Sequence, residues 1–178
     1  MSNTERSVKF CRESRVIQTH RVFPTDLNSH GTLFGGKLMS LIDDTASISI
    51  TRHARRNAVT ASTDRLDFLH PIGENHSVCV ETFVSGAGRK SMEIFAKIIG
   101  ENLVTGERYL AGTCFMTFVA VPSVEKPETD FTVPLVQPET EEEIMVASGY
   151  EERRRRGLQE LAFHEEFSKA VSLDVPWY

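Results

Sequence analysis

Apolar and polar residues alternate along the chain with periods that change at identifiable points. From Arg15 to Phe23 the run RVIQTHRVF sets Val16 and Val22 on one face and Ile17 and Phe23 on the other, which predicts a strand buried over part of both faces. PTDLNSHGTLFGG then collects Pro24, Asp26, Asn28, Ser29 and Gly31, so a turn-rich loop follows. From Gly35 to about Arg52 no proline occurs, and Leu38, Ile42 and Ala46 recur at i, i+4 and i+8, the period of a helix. Met39, Leu41, Ile48 and Ile50 widen its apolar arc, which predicts a helix mostly wrapped by protein.

Four β-type stretches follow the basic link HARRN, at about 58–69, 77–85, 90–99 and 108–121, separated by HPIGEN, GAGR and GENLVTGE. An antiparallel meander is the simplest arrangement of the four. In the third stretch Met92, Ile94, Ala96 and Ile98 face one way, while Glu93 and Lys97 share the other face with Phe95 and Ile99, so that side is expected to be the wetter one. Beyond Val121, VPSVEKPETDFTVPLVQPE carries four of the seven prolines and reads as an extended linker crossing the surface. ETEEEIMVASGYEERRRRGLQELAFHEEFSKA then reads as a charged helix, or as two broken near Gly149 and Gly157. The expected layout is α+β, one long helix against one curved antiparallel sheet, with residues 1–122 as the domain and 123–178 as linker and helical extension.

Composition narrows the function classes. The 178 residues are 40% hydrophobic and 25% charged, ordinary for one globular domain, and the net charge of −5 argues against nucleic acid as a partner. No apolar run long enough to span a membrane and no signal-peptide stretch occurs, so a cytoplasmic protein without membrane insertion is expected. Cys11, Cys79 and Cys114 are widely spaced and odd in number, which suits free thiols. The basic run Arg153–Arg156 follows Glu151 and Glu152 and reads as part of a solvated helix.

Several catalytic signatures are missing. There is no G-x-S-x-G, and His164-Glu165-Glu166 lacks the second histidine of H-E-x-x-H. Gly31 to Lys37 reads G-x-x-x-x-G-K, but Leu38 stands where a P-loop needs Ser or Thr for magnesium. Two features remain: Asn28 before the pair Gly35-Gly36, and Asp43 with Asp44 inside the helix. A carboxylate on a mostly apolar helix is costly unless it is paired, used or facing water, and the helical wheel sets both aspartates at the edges of the arc without choosing between them. The double glycine permits a tight turn into the helix, and it also exposes unpaired N–H groups at the positive end of the dipole, where an oxyanion would be stabilised.

The stretch from Pro24 to Pro71, with Asn28-x6-Gly35-Gly36 and Asp43, resembles the hotdog-fold acyl-CoA thioesterases, especially bacterial acyl-CoA hydrolases related to the cytosolic brain-type enzyme; the likeness continues through GRKSMEI and FMTFVAV. The resemblance implies a long helix held in the curved sheet, two subunits joined edge to edge with sites at their interface, and a homodimer or trimer of dimers. It implies Asn28 and the Gly36 N–H as the groups polarising a thioester carbonyl, Asp43 as general base or nucleophile, and Thr60 holding water or carboxylate. Asp44 is left as a neighbour, and His30 stands where relatives often carry a small or amide residue. Arg89, Lys90 and Ser91 at the GAG turn become candidates for the CoA phosphates. No metal and no cofactor is required. The rival readings are a non-catalytic acyl-CoA sensor, for which about 14 residues before the first strand leave too little for a DNA-binding segment, and a hotdog dehydratase, which would need a catalytic histidine.

Overall fold

The computed structural model describes residues 6–174. A short strand, β1 (Val8–Phe10), runs into the one-turn helix α1 (Cys11–Ser14) and then β2 (Val16–Arg21). The loop after it opens with a 3-10 turn at Pro24–Asp26 and leads to α2 (Gly35–Ala54). Four strands follow, β3 (Ala58–Phe68), β4 (His76–Ala87), β5 (Ser91–Asn102) and β6 (Arg108–Ala120), then the short β7 (Leu135–Gln137) and the helices α3 (Glu141–Ser148) and α4 (Tyr150–Ala170). The main sheet is antiparallel with the order β2-β4-β5-β6-β3, and β1 pairs with β7 in parallel. This is the hotdog layout that the resemblance implies.

The expected meander holds for β4, β5 and β6, while β3 leaves it and pairs with β6 at the far edge. The reason is length. Twenty residues of α2 span ~30 Å, and the four gaps between five strands add up to ~19 Å, so the helix carries the chain from the β2 edge across the sheet to the opposite edge. Leu38, Ile42, Ala46 and Ile50 meet Val80, Ile94, Ile98, Met116 and Phe118 in the main core. Thr45 and Ser49 are buried with them, their hydroxyls bonded to Gln18 and Thr82.

The wrapping of α2 is one-sided, in contrast to the expectation from its wide apolar arc. Met39 is 48% exposed and Ile48 37%, because the sheet covers one face of α2 and, among the described residues, these two side chains have no such cover. A similar correction applies to β2: Val16 and Val22 are buried, but Ile17 and Phe23 are more than half exposed, since this strand forms the sheet's other edge.

The face of the sheet expected to be wet is covered. Cys11 of α1 and Val146 of α3 pack with Phe83 and Phe95 in a second small core. Glu93 is buried there, and Arg153 from the first turn of α4 meets it at 2.8 Å and lies over the Phe115 ring. Lys97 reaches Glu81 and Glu142, and Arg15 bridges Glu81 to the buried Glu143. A charged strand face is therefore buried by supplying opposite charges from the C-terminal segment. The proline-rich stretch is more than a surface linker, because Val133 enters the main core. The charged segment breaks at Gly149 alone; Gly157 stays inside α4.

His53, near the end of α2, is fully buried, with Nε2–H donated to the Pro134 carbonyl at 3.0 Å and Nδ1 without a partner among the described residues. Burial holds its pKa below the ordinary 6.5, so the folded chain keeps the ring neutral. The unfolded chain takes up the proton near pH ~6.5, and stability is lost as pH falls from there through the lowered folded value. The thermal midpoint should fall between about pH 7.5 and about pH 5.5, and His53→Leu should flatten that slope. Parallel slopes for the two proteins would assign the effect elsewhere.

Candidate active site

The loop after the 3-10 turn is organised by Asn28. Its Oδ1 accepts from the backbone N–H of His30 and Thr32, and its Nδ2 donates to the Thr32 hydroxyl at 2.9 Å. Gly31 completes the turn at φ +73°, a conformation that favours glycine. His30 enters this network through its backbone, and its side chain is exposed. The loop delivers Phe34 as the residue before α2, in extended conformation and with no side-chain cap on the helix. The first-turn N–H groups, Gly36 among them, are thus left without a side-chain acceptor. A Cβ on Gly36 would stand 2.6 Å from the Phe34 ring, so glycine is what lets that ring lie over the helix start.

Asp43 is half-buried one face further along α2, and the Thr60 hydroxyl donates to its Oδ1 at 2.8 Å. The two stand at one end of a cavity of about 290 Å³ lined also by Met39, Ser40, Ile42, Thr63, Leu66, Cys114 and Met116. Asp44 is exposed, one residue on and 100° around the helix. Ser40 lines this cavity and also an adjoining groove with Phe34, Gly36 and Lys37, so Gly36, Ser40 and Asp43 mark one continuous face of α2. Asn28 is elsewhere: it lines a separate cavity of about 350 Å³ with Gly35, Leu38, Phe68 and His70. Within one chain, then, Asp43 and Thr60 are brought together, while Gly36 lies on the same face of α2 but ~10 Å away in the adjoining groove, and Asn28 lines a different cavity.

The strand that carries Thr60 is irregular in a way that shapes the cavity. Thr60 pairs with Phe118, Thr63 with Met116 and Leu66 with Cys114, and Ala61 and Asp64 are extra residues at two bulges in between. Each bulge adds one residue to β3 against β6, so every third residue of β3, instead of every second, faces α2. Thr63 and Leu66 were not legible as site residues for this reason. The available signal was the failure of strict alternation in AVTASTDRL. Burial pushes the Cys114 thiol up to about 12, which leaves it inert as a nucleophile.

Arg89, Lys90 and Ser91 lie at the turn between β4 and β5. Ser91 pairs with Val119, next to the Thr60–Phe118 row, and the Lys90 carbonyl accepts from Ala120 N–H. Their charges already have protein partners: Arg89 meets Asp130, and Lys90 donates to the Thr129 carbonyl and lies over the Phe131 ring. Both members of the Arg89–Asp130 pair are largely exposed, so the guanidinium keeps a solvent face.

A carboxylate on the long helix of a hotdog sheet, with a loop asparagine and a helix-opening glycine pair, agrees with a match of the thioesterase superfamily profile to residues 30–107. The chain belongs to the thioesterase superfamily, among its acyl-CoA thioester hydrolases. It is 53% identical over 169 residues to the uncharacterized acyl-CoA thioester hydrolase YkhA of Bacillus subtilis, covering 95% of this chain and 96% of YkhA. The acyl-CoA hydrolase of Bacillus cereus shares 44% identity at a TM-score of 0.86, covering 94% of this chain and 99% of that one. The acyl-CoA hydrolase of Staphylococcus aureus, solved as an Asp43→Ala variant, shares 33% identity at a TM-score of 0.87, covering 93% and 100%. That protein was also solved as Thr60→Ala, as Asn28→Ala with coenzyme A, and with butyryl coenzyme A. A hexameric acyl-CoA thioesterase shares 38% identity at a TM-score of 0.81, covering 88% and 98%.

Thr60 is the single side-chain partner of Asp43 among the described residues. A hydrogen bond to a charged group is worth ~1.5–3 kcal/mol, so Thr60→Val should lower kcat for thioester hydrolysis at least about tenfold with KM nearly unchanged. A kcat within about twofold of the parent would show that the hydroxyl does not position the carboxylate.

Proposed function

We propose that the protein hydrolyses acyl-CoA to the free carboxylic acid and CoA, with Asp43 as the base or nucleophile. The observation that carries this reading is the Asp43 carboxylate, held by Thr60 at one end of an apolar cavity. In the general-base form, Asp43 takes a proton from water as the water oxygen bonds to the thioester carbonyl carbon. Asn28 and the Gly36 N–H hold the developing oxyanion, the C–S bond breaks, and the proton passes to the CoA thiolate. In the covalent form the Asp43 carboxylate itself bonds to the carbonyl carbon, the C–S bond breaks and CoA leaves as thiolate, and water then hydrolyses the mixed anhydride, its oxygen going to the acid and its protons to the thiolate and the released carboxylate. In this reading neither step draws on a metal or a cofactor. Arg89, Lys90 and Ser91 receive the phosphates of CoA.

The active unit in this reading is a homodimer. The strand β3 has eleven residues, is exposed over most of its length, and has β6 as its single neighbour among the described residues, which leaves one row of backbone groups open. Two copies joined there bring the Asn28 loop of each chain to the helix of the other, which accounts for Asn28 and Asp43 lining different cavities within one chain. A trimer of dimers is the further assembly we infer, supported by the hexameric relative. Three free thiols support a cytoplasmic location, and no helix among the described residues is long and apolar enough to cross a membrane.

Asp43→Asn should leave the fold intact and cost at least about a hundredfold in turnover, as loss of a general base does, while Asp44→Asn should cost far less. Equal losses would overturn the choice of carboxylate. Free thiol release from acyl-CoA supports the enzyme, and tight binding without release would make the protein a sensor.

Subunit mixing tests the shared site. Asn28→Ala and Asp43→Ala homodimers should both be nearly inactive. A mixed dimer collects both lesions in one site and leaves the other whole, so random exchange should restore about a quarter of the sites. Activity that stays at the parental background, with exchange verified by differential tags, would place both residues of a site in one chain.

A further inference from the structure

Helix α4 is tied to the rest of the chain near its start. The Tyr150 ring fills the space beside Gly86, Arg153 reaches Glu93, and Arg154 lies next to Gly88. No residue of the helix is buried, and further along Leu158 is 55% exposed and Leu161 58%. Arg154, Leu158, Leu161 and Glu165 follow one another at steps of four, three and four residues, the spacing of a coiled-coil seam, so they share one face. Phe163 and Phe167 lie on the opposite face and stack on each other with ring centroids 6.1 Å apart.

The charges at the two ends of this seam are not matched within the chain. Arg153 is held by Glu93, and Arg155 and Arg156 lean on Glu152. Arg154 has Glu151 at 3.8 Å, and Glu165 has no ion-pair partner among the described residues. Gly157 adjoins the two leucines on one flank and Ala162 on the other. Glycine weakens a helix interior, and the chain's own packing does not demand it here, since a Cβ would meet no atom within 4 Å. Two small flanking residues leave room for a second helix to approach the leucines.

We propose that α4 packs antiparallel against α4 of a second copy of this chain, about a two-fold axis between Gln159 and Glu160, and that this seam joins one β3-linked dimer to the next. The axis sets Leu158 against the partner subunit's Leu161 and Arg154 against the partner subunit's Glu165, and each contact is made twice. A parallel pairing in register would put arginine against arginine and glutamate against glutamate, so the charges select the antiparallel one. Two leucines and two seam charges from each chain bury far less than the ~1,000 Å² that a stable interface needs alone. The seam therefore acts between subunits already paired elsewhere, and the inference rests on the dimer joined at β3. Two different isologous contacts on each chain link dimers in alternation, and such a row closes on itself with dihedral symmetry; three dimers make a hexamer.

The test compares the full-length parent with a Leu158→Glu, Leu161→Glu double variant by light scattering and by thiol release from acyl-CoA. The parent should run as a hexamer and the double variant as a dimer, with turnover per chain within about twofold, because both changes are on an exposed helix away from the site. Glu165→Arg should raise the concentration at which the hexamer dissociates at least about tenfold, and adding Arg154→Glu should restore it. Leu158→Cys and Leu161→Cys proteins, exchanged and then oxidised with copper phenanthroline, should cross-link to each other more than to themselves, above the background of the parent cysteines. A parent that is only a dimer, a double variant that keeps the parent mass, a charge swap that repairs nothing, or cysteine variants that link to themselves as readily as to each other would overturn the proposal. A double variant that falls to a monomer keeps the seam and removes the β3 dimer instead.

Discussion

The burial of α2 across the inner face of the sheet fixes almost everything else in this molecule. Its apolar row, Leu38, Ile42, Ala46 and Ile50, sets how the helix is rotated, and the bonds from Thr45 to Gln18 and from Ser49 to Thr82 fix its position along the strands. Once rotation and register are set, Asp43 can emerge at one place only, beside Thr60, and the helix start with Gly36 must lie on the same line. Position along a packed helix is thereby converted into a fixed separation between a carboxylate and the N–H groups of the helix start.

The opposite face of the sheet obeys a different logic. Glu81, Glu93 and Lys97 would leave it wet, and Phe83 and Phe95 would leave it sticky, and the chain resolves both by returning after β6. Arg153 and Glu142 supply charges, Val146 supplies apolar cover, and Val133 anchors the returning segment in the main core. The same segment binds Arg89 and Lys90 through Asp130 and Thr129, so it shapes the turn assigned to CoA as well as the sheet's outer cover. An Arg–Glu pair at 5% carboxylate exposure contributes little net stability by itself but makes any other covering of that face costly.

Periodicity made α2 and the β4–β6 meander readable, because each has a single dominant period and clear glycine punctuation. The place of β3 was not readable, since pairing between sequence-distant strands depends on how far the helix travels, which no local pattern encodes. The single-sided cover of α2 and β2 was misjudged for a related reason: apolar residues that face an open edge look the same in sequence as those that face a core. At the site, Asn28, Gly36, Asp43 and Thr60 could be named from the resemblance, and Asp43 and Thr60 do meet. The β3 part of the cavity lining, Thr63 and Leu66, was hidden by the two bulges, which break the rule that alternate residues share a face.

Those bulges change what kind of sequence variation the cavity can feel. In a regular strand the identity of each side chain decides what lines a pocket. Here the count of residues is also free to vary, because five residues separate Thr60 from Leu66 where three separate Phe118 from Cys114. Removing Ala61 or Asp64 would close a bulge and leave Thr63 and Leu66 opposite Met116 and Cys114, with the same side chains facing the cavity. The strand thus has slack against β6 and can lose a residue at either point without exchanging its two faces, a tolerance closed to the regular strands of the core.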